Sequence, residues 1–409
     1  MPDAERLDRY ADLALHVGVN VREGQRLVLR SPIEAAPLAR RIAAAAYRAG
    51  VPYVDVQWSD DAVTHARFHY APDGTFEELP LGRADALARA AERGDAFVTL
   101  DARDPDLLAD VDPARVALVE AAAQRAQRPF TRLLMADAVP WTILAVPTSA
   151  WARKVFPERT EAEGLAALWR AVFTATRVDE DDPVAAWQRH VEVLARRAAG
   201  LNASRFAALR FRGPGTDLRV GLADGHAWQG GATRTPSGQV FVPNLPTEEV
   251  FTAPHRAAVC GTVRASMPLA YAGRVIEDFG LTFEAGRVVS AHAQKGEDVL
   301  MRLLDTDEGA RRLGEVALVP SGGPVQQAGV LFYKTLFDEN AAIHLALGQG
   351  YRFTLRGGTQ LDDGDARAHG LNESLAHVDF MIGHGDMDVL GVDDAGGEHA
   401  VMRAGRFVS

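Results

Sequence analysis

Only one cysteine, Cys260, stands among the 409 residues, which excludes an intramolecular disulfide and any metal site built from several thiolates. It lies in the apolar run Ala257-Ala-Val-Cys-Gly-Thr-Val263 and is expected to be a buried packing residue, as free cysteine usually is. No apolar run reaches the roughly 20 residues that span a bilayer. The start, Met1-Pro-Asp-Ala-Glu-Arg6, has neither the basic nor the apolar part of a signal peptide, so a cytoplasmic protein with no membrane partner is expected. Positive charge is scarce as well. The 44 basic residues against 55 acidic ones leave a net charge of -11, which opposes the neutralisation of phosphates and argues against nucleic acid as a partner. A glycine-rich phosphate turn is missing too. The first strand runs into Arg30-Ser-Pro-Ile-Glu34, and Gly213-Pro-Gly215 has no third glycine and no helix after it, so dinucleotide binding is set aside and the glycine pair reads as a β-turn.

What is present is an ordinary globular composition, 47% hydrophobic and 24% charged, in a chain too long for one growing core, so two domains are expected. Up to about residue 195, short β-rich runs alternate with alanine-rich amphipathic stretches. Arg26–Arg30, Tyr53–Gln57, Ala96–Leu100 and Trp141–Val146 read as strands, with a helix from Ile33 to Arg48 after the first. Strands alternating with helices imply an open α/β domain whose parallel sheet is covered on both faces. Two helical stretches, 160–176 and 183–198, lead out of it. Beyond Ser204 the texture changes to short strands and glycine turns. The fold class is therefore α/β and α+β: an amino-terminal open α/β domain, residues 1–200, followed by a β-rich domain, residues 201–409, that carries the candidate ligands.

Those ligands are the strongest signal. Leu336-Phe-Asp-Glu339-Asn-Ala-Ala-Ile-His344 and His377-Val-Asp379-Phe place a glutamate, two histidines and an aspartate in apolar company. Burying such groups costs several kcal/mol unless a partner compensates them. On a strand, His377 and Asp379 point to one face. Two more acids stand upstream, Glu315 at the start of the strand-like Leu313-Gly-Glu-Val-Ala-Leu-Val319, and Glu249 in the turn Asn244-Leu-Pro-Thr-Glu-Glu249. Glu249, Glu315, Glu339, His344, His377 and Asp379 form a carboxylate-rich set with two imidazoles. It suits a pair of Zn, Co, Mn or Mg ions better than a structural thiolate zinc, and paired ions point to hydrolysis. Spacing alone leaves alternatives open. Glu339 is off the i, i+4 face of His344, which could be a satisfied histidine on a helix, and His377 with Asp379 could be a hydrogen-bonded pair.

The motifs Asn244-Leu-Pro-Thr-Glu-Glu-Val-Phe-Thr252, Leu313-Gly-Glu-Val-Ala-Leu-Val-Pro320, Leu336–Gly348 and His377-Val-Asp-Phe-Met-Ile-Gly383, in this order, resemble the M29 aminopeptidases. The likeness extends to Tyr10–Ala14 and Gly18–Val21, so it covers essentially the whole chain. It implies a two-domain homodimeric enzyme that removes amino-terminal residues from peptides with two divalent ions, Zn, Co or Mg, bound by the six residues. Glu249 or Glu315 would bridge the ions, Glu315 would carry the proton to the leaving amine, and Tyr351 would steady the oxyanion. The family pattern favours Glu249 over its neighbour Glu248 as ligand. Asn372 and Ser374 are candidates to orient His377 or Asp379. His384-Gly-Asp386 repeats the His-x-Asp spacing, but its flanking glycines read as a turn. Another dinuclear hydrolase, such as an amidase, or a non-catalytic binding protein on the same scaffold are the competing readings.

Overall fold

The computed structural model describes residues 2–408, and Cα positions separate them into two compact units. The first comprises the chain up to His190 together with Ala232–Pro246. Its five-stranded sheet is ordered Val54–Ser59, Leu27–Pro32, Ala96–Asp101, Trp141–Ala145, Asn244–Leu245, with every pairing parallel. Leu27, Val28, Leu29, Ala96, Phe97 and Val98 are all buried, the continuous apolar pattern of a sheet covered on both faces. Helices Leu81–Glu92 and Pro113–Met135 pack over Val28 and Phe97. Helix starts carry their own caps. Asp60 accepts from the backbone of Ala62 and Val63, and Thr160 forms a capping box with Glu163, each satisfying amides that a helix leaves unpaired. The fifth strand, two residues flanked by Pro243 and Pro246, lies in a stretch that reads as a turn in the sequence; its first bond runs from Ile143 N to the Pro243 carbonyl.

The second unit, Val191–Gly231 with Thr247–Ser409, is β-rich. Its nine-stranded sheet is built on antiparallel hairpins such as Ala208–Gly213 with Thr216–Leu222, joined at Pro214-Gly215, where Gly215 takes φ 70°. A four-stranded antiparallel sheet follows the order Val250–Thr252, Leu313–Leu318, His344–Gly348, His377–Met381. One core joins the two sheets: Phe211, Val220, Val259 and Phe279 from the larger, Val316, Leu345, Leu347 and Phe380 from the smaller.

One expectation is corrected here, and one open alternative is closed. Cys260 is exposed, not buried. Its strand alternates, so Val259 is in the core while Cys260, opposite Arg219, turns to the solvent face of the sheet. His344 is not on a helix. The helical turn that contains Glu339 ends at Ala341, and His344 opens a fully buried strand.

Candidate metal centre

The small sheet sorts its side chains by pairing. Glu315 lies opposite Ala346, which lies opposite Asp379 on its other side; His344 pairs with Ala317 and Met381, and Gly348 with His377. Paired residues share a face, and so do alternate residues along a strand. Glu315, His344, His377 and Asp379 therefore share one face with Met381, and Ala317, Ala346 and Gly348 stand between them. Small residues at those positions leave room for four polar side chains. Glu249 directly precedes Val250, which faces the core, and so turns to the same side as the others.

The distances draw these groups together. Ligand atoms of Glu249, Glu315 and His344 all lie within 4.8 Å of one another, and all three residues are buried. His344 Nε2 is 3.0 Å from Glu249 Oε2 and 3.6 Å from Glu315 Oε1. His377 Nε2 is 3.6 Å from Asp379 Oδ1 and 3.9 Å from Glu315 Oε2. Glu339 approaches from the turn Glu339–Ala341 and lines a small cavity with Pro268, Ala270, Tyr333, Lys334 and Asp379. The Tyr351 ring packs on His377 at 4.7 Å between centroids and stacks on Phe353 at 5.2 Å.

Both imidazoles are oriented from behind. His344 Nδ1 is 3.1 Å from the Ala342 carbonyl and His377 Nδ1 is 2.7 Å from the Gln349 carbonyl. A carbonyl oxygen only accepts, so each ring carries its proton on Nδ1 and presents Nε2 to the acids. Gln349 had no place in the sequence reading, because the group that acts is its backbone. Asn372 and Ser374 do not bond His377 or Asp379 themselves. Asn372 Nδ2 donates to the Gly309 and Gly348 carbonyls, and Ser374 Oγ to Asp307, which holds the loop that sets the Gln349 carbonyl. Asn340 is a second residue that was missed. It is fully buried, accepts from Glu248 N at 2.6 Å and donates to the Leu336 carbonyl at 3.0 Å, so it fixes the segment that carries Glu249.

Charge is crowded here. Burial, then Glu249 and Asp379, push the Glu315 carboxyl up to about 6 despite the nearby His344 imidazole. Burial and the charges of Asp379 and Glu249 hold the Glu339 carboxyl well above the carboxylate range. Burial pulls His377 down, but Asp379 and Glu315 outweigh it and raise the imidazole to about 9. Burial and the surrounding acids keep the Tyr351 phenol protonated. Glu248 sits in a different field, since the half-buried Arg197 feels its charge. His384 lies apart in an exposed turn, bonded to Asp386 N at 3.1 Å.

A divalent cation fits this donor set. His344 Nε2 and Glu249 Oε2 are buried, close and yet not aligned for a hydrogen bond, and among the described residues neither has another hydrogen-bond partner. Leaving two buried polar atoms in that state is costly, and a shared cation relieves both. Four carboxylates and two Nε2 atoms are the ligand types of Zn, Co, Mn and Mg.

Fold and site together define a metal-dependent hydrolase, and comparison with known proteins gives its family. The chain belongs to the M29 family, whose profile, described as thermophilic metalloprotease (M29), matches residues 3–407. It is 48% identical over 403 residues to Aminopeptidase 2 of Geobacillus stearothermophilus, with 98% of each chain covered. It is 46% identical over 404 residues to Aminopeptidase T of Thermus aquaticus, covering 99% of this chain and 98% of that one. The solved structure of wild-type AmpT from Thermus thermophilus matches at a TM-score of 0.94 and 46% identity, covering 99% of both chains. The chain is thus a metalloprotease, a divalent-metal hydrolase that acts on peptide bonds.

Proposed function

We propose that this chain, a metal-dependent aminopeptidase that removes amino-terminal residues from peptides, works with two divalent ions held by Glu249, Glu315, Glu339, His344, His377 and Asp379. The observation that carries the two-ion reading is the split of one carboxylate. Glu315 turns Oε1 toward His344, which also meets Glu249, and Oε2 toward His377, which also meets Asp379. Two imidazoles with separate acid partners, spanned by a single carboxylate, form two adjoining ligand groups rather than one. Zn, Co or Mg suits them.

Ions bound there supply Lewis-acid chemistry, acidifying water and polarising the scissile carbonyl. The chain's own groups do the rest. Glu315, reaching the space between the imidazoles, is placed to take a proton on one oxygen and return it to the leaving amine. Tyr351, kept protonated and packed on His377, donates a hydrogen bond to the oxyanion. Gln349 and Ala342 hold the imidazoles in the tautomer that leaves Nε2 deprotonated. The cavity beside Glu339 and Asp379 admits the substrate's amino end. All six ligands fall beyond the expected boundary near residue 200, within the unit of Val191–Gly231 and Thr247–Ser409. A cytoplasmic homodimer completes the reading and rests on the family resemblance.

The test counts metal and reads activity together. Chelated enzyme should be inactive on a panel of amino-acid anilides, and activity should return with Co, Zn or Mg as the carboxylate cluster fills to two ions. Full activity in a metal-free preparation, or full activity at one ion per chain, sinks the two-ion reading.

A further inference from the structure

A second group of ligand-type side chains lies in the unit that holds the parallel sheet. His65 and His69 stand four residues apart on helix Asp61–Tyr70, the spacing that puts two imidazoles on one helical face. Their rings are 4.2 Å apart between centroids. Asp110, just before helix Pro113–Met135, comes in opposite them. His65 Nε2 is 3.3 Å from both carboxylate oxygens of Asp110, and His69 Nε2 is 3.3 Å from Oδ2. One ligand atom from each of the three residues falls within 4.8 Å of the others.

A plain surface ion pair accounts for one histidine beside an aspartate. It does not account for two histidines converging through Nε2 on the same carboxylate. The separations are also long for N–H···O bonds, which cluster at roughly 2.7–3.2 Å. They match the about 3.3 Å between two ligand atoms set tetrahedrally around one ion at bond lengths of about 2.0–2.1 Å. The side chains remain partly exposed, at 39%, 33% and 61% for His65, His69 and Asp110, so water can fill the remaining coordination positions and the ion can exchange.

We propose that His65, His69 and Asp110 form a metal site of their own, taking a borderline divalent transition-metal ion through two Nε2 atoms and one carboxylate. Bound there, the ion joins residues 45 positions apart. The stretch between strand Ala96–Asp101 and helix Pro113–Met135 has no regular element and is already tied to the histidine helix by a bond from Asp104 N to Asp61. The ion clips its far end to the same helix.

Equilibrium dialysis of the full chain against Zn2+, with zinc counted by elemental analysis, tests the site. The double variant His65→Ala/His69→Ala should hold one zinc fewer per chain than the wild type, and Asp110→Asn should bind that zinc at least tenfold more weakly. Both should keep peptide cleavage and the wild-type circular dichroism spectrum. His399→Ala removes another exposed histidine, 2.8 Å from Asp393, and should leave the count unchanged. Equal zinc in the wild type and the double variant overturns the proposal. An equal loss in His399→Ala overturns it too, because it marks adsorption to surface histidines in general. The count compares variants of one enzyme, so it does not depend on how many ions the carboxylate cluster holds.

Discussion

The Gln349 carbonyl oxygen, 2.7 Å from His377 Nδ1, is what turns the His377 ring toward Asp379 and Glu315. Its position depends on Gly348. That residue has φ 104°, and a Cβ there would stand 2.0 Å from the Ala376 carbonyl oxygen, the same atom that accepts from Gln349 N. A side chain at 348 must therefore push the Gln349 carbonyl off the ring.

Gly348→Ala should weaken metal binding by about 10–100-fold, the range found when a partner that orients a ligand is lost. The left-handed backbone alone costs about 1–3 kcal/mol, so the variant should also unfold at lower denaturant. Metal titration beside a denaturant curve checks both effects. Wild-type affinity in a destabilised variant would show that the Gln349 carbonyl does not set the ring.

The two His-x-Asp pairs should part company. His377→Ala and Asp379→Ala should each lower metal occupancy, since both side chains stand on the sheet face that carries Glu315 and His344. His384→Ala should leave occupancy intact, its ring being half exposed in a turn. Elemental analysis of the three variants decides, and metal loss confined to the His384 variant would mean that the wrong pair was chosen.

How far the site was legible depends on the kind of signal each part leaves. The parallel sheet announces itself, because strands such as Leu27–Pro32 and Ala96–Asp101 are buried on both faces and read as continuous apolar runs. Asn244–Leu245 leaves no such trace: two residues between prolines have no periodicity. The acids and histidines were visible as polar groups in apolar company. Their common face was not, because it depends on the register that sets Ala346 between Glu315 and Asp379, and register is a long-range property. A helix stays open for His344 in the sequence because a helical turn does precede it. Gln349 works through its main chain, which has no letter of its own. Cys260 shows the opposite failure, where an apolar neighbourhood hid an alternation that puts the thiol outside.

Asn340→Ala should destabilise the chain by about 1–3 kcal/mol, because it strips partners from the buried Glu248 amide and the Leu336 carbonyl. It should also weaken metal binding, since Glu249 loses the anchor of its neighbour. A denaturant midpoint equal to wild type would mean that water takes over both bonds.

End specificity is the last matter the geometry bears on. A metal cluster can hydrolyse any amide that reaches it, so restriction to chain ends must come from shape and from a group that recognises the free α-amine. The cavity beside the cluster is small, and the Asp379 carboxylate lines it. A protonated amine entering there meets opposite charge, whereas an acetylated end is bulkier and neutral. An amino-terminally acetylated peptide should therefore be cut at least tenfold more slowly than its free counterpart. Mass spectrometry of timed digests reads both rates and the position of cleavage. Equal rates for the two peptides, or cuts at internal bonds, would remove the aminopeptidase assignment and favour a broader amidase or endopeptidase.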